Sequence, residues 1–566
     1  MFKILFYHAS TPQNYNENQI YYLNVSSLYL KTYLDIHKPS IAKQIEWILP
    51  QQEKLTDEEL IAKIEKEQPD MFCTGHYTWN DNFISDQVAR IKPKLSKNII
   101  FVSGGPSIDV NVNPTYFQER PHFDYAVYGS GEVGFADLVE SIIENKKLIK
   151  FNTSNIAWHI DGKQITAEYK YVAELQISPY TSNEKLFTDM VNDLQVDKGY
   201  RIILPYQLTR GCPYSCTFCD WNSGFGNKTT RRKGSYKDEI DLFQKIGVKG
   251  IWFADANTGQ YQEDLEMIEY MAKKNIEENA GFCTDGNFSK LRKENNLKIY
   301  HMLAKANLVN DVFGIYISIQ DTNPEILKNI DRPDVGWEVH KSIIKELHDT
   351  YPKLQTVMQI IQGLPGQTVQ SWKETLDTSI TYTKNLQIFI NELLPAAPAS
   401  RDPEYQKKWN FEYSKAVRWD GTQMFRGHIP KSCSSYTQRE FCELNVLSTF
   451  YNGLAVYRKN SSFSFDVLGV ANDFVRSKNY NLLVDNLYNN WLDDKFYYTI
   501  NFEGVESPPI SACIFRKTGE EWTWTSGFLK LIPNNLIGGI SPKEFFKNSF
   551  ATPVTPKSHK LTNWFA

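Results

Sequence analysis

The stretch LTRGCPYSCTFCDW, residues 208–221, places three cysteines within eight positions. Its spacing is Cys-x3-Cys-x2-Cys, on Cys212, Cys216 and Cys219. Thiolates are the usual protein ligands of iron–sulfur clusters, so three of them on one loop can hold three irons of a cubane and leave the fourth iron open. Structural zinc usually takes four Cys or His ligands, and no histidine lies beside this loop. We therefore predict a [4Fe–4S] site shielded by Phe218, with zinc or unrelated cysteines as less favoured interpretations.

Alternating apolar and helical patterns surround this loop over residues 200–400. The apolar stretches predict six strands, at about 201–208, 250–254, 280–285, 312–319, 355–361 and 387–394. Helical periodicity separates them, as in 237–246 and 369–382. Six strand–helix units predict a partial (βα)6 barrel, whose active site lies at the carboxyl ends of its strands. Cys212 directly follows the first predicted strand, where a catalytic loop belongs.

Residues 1–150 also alternate strand and helix, for example a helix at 57–67 followed by a strand at 71–75. They predict a doubly wound, Rossmann-like α/β domain. Glycine-rich turns follow its strands, at Gly75, at Ser103-Gly104-Gly105 and at Gly129-Ser130-Gly131-Glu132. Ligands of such sheets bind at the carboxyl ends of the strands. The full Gly-x-Gly-x-x-Gly of a nicotinamide site is absent after the first strand, so a nicotinamide site is weakly supported.

The remaining segments have weaker patterns. Residues 151–199 lack strong periodicity and are predicted as a linker with a small β element. Residues 401–566 are rich in aromatic residues, and the strand–helix alternation stops there. We predict a C-terminal accessory α+β domain that shapes the substrate pocket.

Composition places the chain among ordinary globular proteins of several domains. It has 566 residues, of which 41% are hydrophobic and 23% charged, and its formal net charge is −4. No long basic run is present, which argues against a nucleic-acid partner. No apolar stretch reaches the roughly 18 residues of a membrane-spanning helix, and the N-terminal stretch is too interrupted for a signal peptide. We expect a cytoplasmic protein without a membrane partner.

With these motifs in view, the sequence resembles the cobalamin-dependent branch of the radical S-adenosylmethionine (SAM) superfamily, of the class B methyltransferase type. The superfamily's signature is Cys-x3-Cys-x2-Cys with an aromatic residue before the last cysteine, after the first strand of a βα barrel. The resemblance implies that the open iron chelates SAM. It also implies that an electron from an external flavodoxin-like or ferredoxin-like donor cleaves SAM to a 5′-deoxyadenosyl radical.

The resemblance also implies SAM contacts at the ends of later strands. Residues 252–259 end the second strand, where the family binds the SAM amino group. Their sequence departs from the family's usual Gly-Gly-Glu motif. The fourth strand ends near the ribose and the fifth near the adenine. The implied contacts are Asp255 and Asn257, then Ser318 and Gln320, then Gly363 and Pro365. Arg231, Arg232 and Lys233 either neutralise the SAM carboxylate or form a solvated turn.

Residues 1–150 resemble the cobalamin-binding domain that precedes many radical SAM domains. The implied cobalamin contacts are Tyr77, Thr78, Ser103, Gly104, Gly105, Gly129, Gly131 and Glu132. The Asp-x-His-x-x-Gly motif that ligates cobalt in other cobalamin enzymes is absent, and His76 has the wrong spacing. The resemblance therefore implies cobalamin without a histidine ligand from the chain. A degenerate domain that no longer binds cobalamin is the alternative.

The function implied by the resemblance is cobalamin-dependent methylation of an unactivated carbon in a small-molecule or peptide substrate. Cobalamin-assisted rearrangement or cyclisation without methyl transfer is a second enzymatic hypothesis. A non-catalytic cobalamin or iron–sulfur sensor is a third, which a cluster with an open iron disfavours. The substrate itself has no signature in the sequence.

Overall fold

The computed structural model describes most of the first 489 residues and five short strands beyond them. The described ranges are 1–15, 18–77, 79–111, 113–150, 153–170, 177–221, 228–232, 236–288, 293–309, 314–332, 335–383, 385–394, 397–417, 423–460, 466–476 and 478–489, with strands between 495 and 524. The predicted cobalamin contact Thr78 lies outside the described residues, as does Lys233. Among the described helices, none combines the length and apolar character needed to cross a membrane.

The first part of the chain forms ten strands and eight helices within the described residues. The strands are β1 (Phe2–Ser10), β2 (Gln13–Tyr15), β3 (Asn18–Tyr22), β4 (Ile45–Trp47), β5 (Gln51–Glu53), β6 (Met71–Gly75), β7 (Ile100–Gly104), β8 (Tyr125–Val127), β9 (Ile156–Ile160) and β10 (Lys163–Thr166). The helices are α1 (Ser26–His37), α2 (Pro39–Ala42), α3 (Asp57–Glu67), α4 (Asp81–Ile91), α5 (Tyr116–Glu119), α6 (Gly131–Ile143), α7 (Pro179–Ser182) and α8 (Glu184–Gln195).

The first sheet is doubly wound. Its strand order is β10-β9-β8-β7-β6-β1-β4, with β5 also pairing with β1. The strands are parallel except for β9 and β10 at one edge. One apolar cluster, which includes Leu60 and Val88, packs α3 and α4 on one face. Another, which includes Leu34 and Phe135, packs α1 and α6 on the other. The predicted Rossmann-like fold is confirmed.

Local signals explain why the prediction is accurate for some elements. Helix α3 spans the predicted residues 57–67 because a capping box fixes its start: the side chain of Thr56 accepts from the N–H of Glu59, whose carboxylate accepts from the N–H of Thr56. Strand β6 also has its predicted bounds. The sequence marks such elements through local chemistry alone.

Residues 151–199, predicted as a linker with a small β element, form regular elements over most of their length. The β element is the hairpin of β9 and β10, which pairs antiparallel with β8, so the first sheet extends to Thr166. Helix α8 packs Phe187 and Leu194 into the core of the following barrel. The pairing with β8 and the packing of α8 were not predicted, because both depend on distant segments.

The second part of the chain forms the barrel and its cysteine loop. Its strands are β11 (Arg201–Tyr206), β12 (Thr209–Gly211), β13 (Thr229–Arg231), β14 (Gly250–Phe253), β15 (Cys283–Asp285), β16 (Ile315–Gln320), β17 (Thr356–Gln362) and β18 (Asn385–Ile390). Its helices are α9 (Tyr236–Lys245), α10 (Gln262–Glu278), α11 (Lys293–Lys305), α12 (Pro324–Asn329), α13 (Trp337–Thr350) and α14 (Val369–Tyr382).

The six predicted barrel strands are present, as β11, β14, β15, β16, β17 and β18. The first three are parallel neighbours, and so are the last three. Helices α9 to α14 lie between them in the chain, and one large core buries both strands and helices. The antiparallel pair β12–β13 flanks the cysteine loop. The predicted partial (βα)6 barrel is confirmed as the fold of this region.

One strand of the barrel sheet comes from the N-terminal part of the chain and was not predicted. Strand β3 pairs parallel with β11, with Ile20 opposite Arg201. The N–H of Leu23 continues the ladder by donating to the carbonyl oxygen of Ile203 over 3.0 Å. Tyr21 and Leu28 belong to the same core as the barrel strands. The two domains therefore share a sheet and a core, which fixes their relative position.

The described C-terminal residues pack on the barrel. Their elements are α15 (Pro398–Arg401), α16 (Pro403–Trp409), β19 (Glu412–Val417), β20 (Gln423–Ser432), α17 (Gln438–Asn460), α18 (Val467–Arg476), α19 (Lys478–Asn489), β21 (Lys495–Tyr497), β22 (Asn501–Phe502), β23 (Val505–Glu506), β24 (Phe515–Thr518) and β25 (Glu521–Trp524). Helix α17 lies against α14: the indole N–H of Trp372 donates to Ser448 over 3.0 Å, and Ser448 donates to Gln362. This region therefore closes the barrel side beyond β18.

Candidate radical SAM active site

The three cysteines of the predicted cluster lie on the loop that follows β12. Strand β12 ends at Gly211, and Cys212 comes next. The side chains of Cys212 and Cys216 are buried, and that of Cys219 is half-buried. The N–H of Cys219 donates to the carbonyl oxygen of Cys216 over 3.1 Å, so a tight turn joins the last two cysteines. The loop brings three thiols to the carboxyl end of the barrel.

The thiols do not converge on a single point. Within the described residues, no group of three or more His, Cys, Asp or Glu side chains is arranged to hold one metal ion. A cubane does not require such convergence, because each thiolate binds a different iron of the cluster. The loop geometry is therefore compatible with the predicted cluster.

Backbone hydrogen bonds anchor the middle of the cysteine loop to distant segments. The N–H of Thr217 donates to the carbonyl oxygen of Ile330, and the carbonyl oxygen of Thr217 accepts from Ala399, each over 2.9 Å. The side chain of Ser215 bonds to Asp331. These bonds fix the loop on both sides of Cys216, which preorganises the thiol positions.

Phe218 packs beside the cysteine loop. Its ring lies against an apolar cluster formed by α12 and the end of β17, including Ile326, Ile330, Ile361 and Leu364. Its role in shielding a cluster stays a prediction.

Asn257, a predicted SAM contact, lies against the first cysteine. Its Nδ2 is 3.7 Å from Sγ of Cys212, within the range of an N–H···S hydrogen bond. Oδ1 of Asn257 and Oγ1 of the adjacent Thr258 are buried and have no hydrogen-bond partner among the described residues. Buried polar atoms normally have partners. Two acceptors left over beside Cys212 therefore fit a polar ligand such as the amino group of SAM.

Asp255, the other contact predicted at this strand end, is directed at the backbone. Its Oδ1 accepts from the N–H groups of Leu208 and Thr209 over 2.8 and 2.9 Å. Burial raises the pKa of this carboxyl to about 7, and the nearby Asp264 adds to the rise. These contacts position the chain just before the cysteine loop, and they give Asp255 a positioning role that the sequence did not indicate.

The basic residues that follow the loop are paired with carboxylates. Arg231 bonds to the buried Asp264. Arg232 is buried and pairs with Glu239, with 2.8 Å between Nη2 and Oε2. The interpretation as a solvated turn is wrong for these two arginines, because their side chains are only 17% and 4% exposed and both are paired with carboxylates. In the other interpretation, these arginines neutralise the SAM carboxylate. Their positive charges are instead paired with Asp264 and Glu239.

The predicted ribose contacts lie at the end of β16. The side chain of Ser318 is buried and bonds to Gln359. Gln320 follows a register shift in the strand pairing and has φ of 64°, an uncommon conformation for a residue with a side chain. Its Oε1 is buried, and no described residue bonds to it. Strained backbone of this kind clusters at ligand sites, so Gln320 fits a ligand contact better than Ser318 does.

The predicted adenine contacts lie in the turn after β17. Gly363 has φ of 82°, and its carbonyl oxygen accepts from Tyr436 over 2.8 Å and from Asn391 over 3.0 Å. The carbonyl oxygen of Pro365 accepts from Asn329 over 3.3 Å. The turn is therefore held from both the barrel and the C-terminal region.

Two residues that the sequence did not single out organise this turn. Oε1 of Gln367 accepts from the N–H groups of Gly363 and Leu364 over 2.7 and 3.0 Å. Its Nε2 donates to Asp321 over 2.6 Å, which links the ends of β16 and β17. Burial raises the pKa of Asp321 to about 6. No spacing or motif marks either residue, because their roles depend on which strand ends are neighbours.

At the carboxyl edge of the first sheet, protein groups bond most of the predicted polar contacts, but Oε2 of the buried Glu132 has no hydrogen-bond partner among the described residues. Ser103 is buried and bonds to the backbone of Tyr125 and to the hydroxyl of Tyr116. The hydroxyl of Tyr77 accepts from Asn24 over 3.0 Å. Glu132 pairs with Arg210 across the domain boundary, with 2.6 Å between the charged atoms. These side chains hold the edge together.

The glycines at this edge differ in the space around them. An added Cβ at Gly105, where φ is 114°, would lie 2.5 Å from the carbonyl oxygen of His76. A Cβ at Gly131 would lie 2.9 Å from Val127, and one at Gly129 would strike Tyr169. At Gly104 the nearest heavy atom to that position is the carbonyl oxygen of Val127, at 3.7 Å, an ordinary van der Waals contact. The close approaches at Gly105, Gly129 and Gly131 are thus made by the protein, whereas Gly104 has room for a methyl group.

His76 is a structural residue. Its Nε2 lies 2.8 Å from Oγ1 of Thr74, and its Nδ1 lies 2.8 Å from Oδ1 of Asp81. Asp81 also accepts from Arg120 over 3.3 Å. Since both ring nitrogens have protein partners, neither is available to ligate cobalt.

The sequence of the barrel matches a known protein family. Residues 206–378 match the model of the radical SAM superfamily. The barrel region of the chain is therefore similar to the radical SAM superfamily. The match begins at the end of β11 and runs into α14, so it contains the cysteine loop and the ends of β14, β16 and β17 described above. The predicted resemblance to this superfamily is confirmed for the barrel.

Two curated relatives match more than half of this chain. It is 25% identical over 336 residues to the cobalamin-dependent radical SAM methyltransferase TokK of Streptomyces tokunonensis, covering 58% of this chain and 48% of TokK. A 2-(S-pantetheinyl)-carbapenam-3-carboxylate methyltransferase of Streptantibioticus cattleyicolor is also 25% identical, with the same coverage. The chain thus spans about half the length of these curated relatives.

A solved structure extends the likeness of fold to nearly the whole chain. The cobalamin-dependent SAM radical enzyme OxsB, solved with aqua-cobalamin and SAM bound, matches 88% of this chain and 74% of its own with a TM-score of 0.57. The identity is 15%, so the likeness concerns the fold. It agrees with a Rossmann-like domain joined to a radical SAM barrel.

Proposed function

We propose that this radical SAM enzyme binds a [4Fe–4S] cluster, SAM and cobalamin, and that it methylates an unactivated carbon of a small-molecule or peptide substrate. The observation that carries the proposal is the cysteine loop at the barrel's carboxyl end, with the buried acceptor of Asn257 left over beside Cys212. When bound, the cluster and SAM supply a hydrogen-abstracting radical, and cobalamin supplies a methyl carrier.

The residues of this chain would divide the work among the strand ends. Cys212, Cys216 and Cys219 would hold the cluster, with Phe218 excluding water from it. Asn257 would accept from the amino group of SAM, while Gln320 and the turn at Gly363 and Pro365 would meet its nucleoside. The buried acceptors of Asn257 and Gln320, at the ends of β14 and β16 of one barrel, support a single extended ligand.

Cobalamin would lie at the carboxyl edge of the first sheet. Three observations support this placement: the doubly wound sheet, the lack of a close protein contact at Gly104, and the cobalamin dependence of the relative TokK. The pairing of β3 with β11 holds the two domains in one arrangement, so a ligand at this edge keeps a fixed position relative to the barrel. Tyr77 and the exposed ring of Trp79, which stack 4.7 Å apart, offer an apolar surface there.

An external one-electron donor of the flavodoxin or ferredoxin type belongs to the same proposal. The substrate would enter at the barrel mouth, where the described C-terminal residues close one side. The side chains of Asn257 and Gln320 would orient SAM, and the packed aromatic residues would keep water away from the reacting centre.

The cysteines provide the direct test of the cluster. Anaerobically reconstituted wild-type protein should bind about four irons and four sulfides and release 5′-deoxyadenosine from SAM when reduced by dithionite. Cys216→Ala should lose most of the iron and all turnover. Cys73→Ala is the matched control, because Cys73 is buried in β6 of the other domain. Full activity of Cys216→Ala would contradict the cluster assignment.

A methyl-label experiment separates the two enzymatic hypotheses. With methyl-labelled SAM and a turned-over substrate, methyl transfer places the label in the product. A rearranged or cyclised product without label would overturn methylation and leave the radical SAM assignment intact.

A further inference from the structure

An ion pair joins the N-terminal domain to the start of the cysteine loop. Arg210 lies in β12, two residues before Cys212, and Glu132 lies in the first turn of α6. Nη2 of Arg210 is 2.6 Å from Oε1 of Glu132. The side chains are 19% and 4% exposed, so solvent screens the pair only weakly.

Further contacts bind Arg210 to the N-terminal domain. Its guanidinium carbon lies 5.5 Å from the centre of the Tyr29 ring on α1, a cation–π geometry. Its Nε donates to Gln207 over 3.3 Å, which stiffens the short segment before the loop. Helices α1 and α6 of the first domain therefore both contact the side chain of Arg210, just before the cysteine loop.

The barrel holds the same segment from its other side. Asp255 accepts from the N–H groups of Leu208 and Thr209, directly before Arg210. The segment 208–211 is thus clamped between a carboxylate of the barrel and a carboxylate of the N-terminal domain. Cys212 follows this clamp without any intervening residue.

We infer that Glu132 is a positioning residue of the cluster site, which acts through Arg210 to set where Cys212 lies relative to the N-terminal sheet. The inference rests on the proposed function for its consequence, since Cys212 is the first proposed cluster ligand. Breaking the pair releases one side of the clamp while leaving every cysteine in place.

A purely local role for Glu132 makes a different prediction. An acidic residue in the first turn stabilises a helix through the helix dipole, so Glu132 would then matter to α6 alone. Arg210→Gln does not remove that charge. Equal effects of Glu132→Gln and Arg210→Gln on the cysteine loop therefore identify the pair as the cause.

Hydrogen exchange of the full-length protein tests the inference without the cluster. The amides of 208–212 should exchange about fivefold faster or more in Glu132→Gln and in Arg210→Gln, because local opening loses an interaction. The double variant should exchange no faster than either single variant. Asp137→Asn is the matched control: Asp137 lies on α6 and pairs with Lys38 over 2.8 Å inside the N-terminal domain. Unchanged exchange at 208–212 in Glu132→Gln would overturn the inference.

A measurement on the reconstituted protein tests the consequence for the cluster. A ferrous chelator should remove iron several-fold faster from Glu132→Gln and Arg210→Gln than from wild type or Asp137→Asn, because the Cys212 ligand is less firmly held. Equal rates of iron removal would overturn the positioning role. Absence of iron from wild type would instead contradict the proposed function, while the exchange experiment would still decide the role of Glu132.

Discussion

The cysteine loop and the glycine-rich edge of the first sheet differ in how much of their polar chemistry the protein itself uses. Beside the loop, the buried acceptors of Asn257 and Gln320 have no bonding partner in the described part of the chain. At the edge, Ser103 and His76 are bonded to protein. At the same edge, Oε2 of Glu132 and both ring nitrogens of the buried His8 have no hydrogen-bond partner among the described residues. The comparison shows that both sites keep unpartnered buried polar atoms, but the sheet edge bonds more of its predicted contacts to protein.

The largest expected effect comes from Asp255, on the barrel side of this comparison. Asp255→Ala removes the acceptor for Leu208 and Thr209, and we expect the protein to retain little iron after reconstitution. Asp255→Asn keeps an acceptor oxygen in place and should retain most of the iron. Iron and sulfide analysis of the two variants checks this, and equal iron in both would break the assigned positioning role.

Asp255→Asn also carries a pH prediction. Burial raises the pKa of Asp255 to about 7, above the roughly 3.9 of an unfolded aspartate. The folded state therefore binds more protons between these values, and this group's contribution to stability falls as the pH rises from about 4 to 7. Thermal unfolding should show a shallower pH dependence in Asp255→Asn than in wild type; an unchanged slope would contradict the raised pKa.

Substitutions of Gly104 and Gly105 test the glycine-rich edge of the first sheet. Gly105→Ala should destabilise the protein by about 1–3 kcal/mol, because φ is 114° and the new Cβ would meet the backbone of His76. Gly104→Ala should leave thermal stability nearly unchanged but weaken retention of added hydroxocobalamin in gel filtration. Full cobalamin retention by Gly104→Ala would show that the cofactor does not use the room for a methyl group at Gly104.

His76 should have the smallest effect on cofactors. His76→Ala leaves the absorption spectrum of bound cobalamin unchanged, since both ring nitrogens bond to protein. Stability should fall by about 1–3 kcal/mol, because the buried Asp81 loses a partner. A shift of the cobalamin spectrum in this variant would show that His76 reaches the cofactor after all.

Local and repeated patterns were readable from the sequence, and contacts between distant segments were not. Strand β6 and helix α14 have their predicted bounds because apolar periodicity and caps are local. Strand β3 was missed because its pairing with β11 arises only when the two domains pack. Gln367 was missed for the same reason. It links the ends of β16 and β17 by donating to Asp321, and this is possible only because the two strand ends are neighbours.

The central claim is that SAM binds an open iron of a cluster held by Cys212, Cys216 and Cys219. Its most direct test is the EPR spectrum of the dithionite-reduced, reconstituted wild-type protein, recorded without and with saturating SAM. The account predicts a reduced [4Fe–4S] signal that changes when SAM is added. A cluster signal that stays the same at saturating SAM, or the absence of any cluster signal, would contradict it.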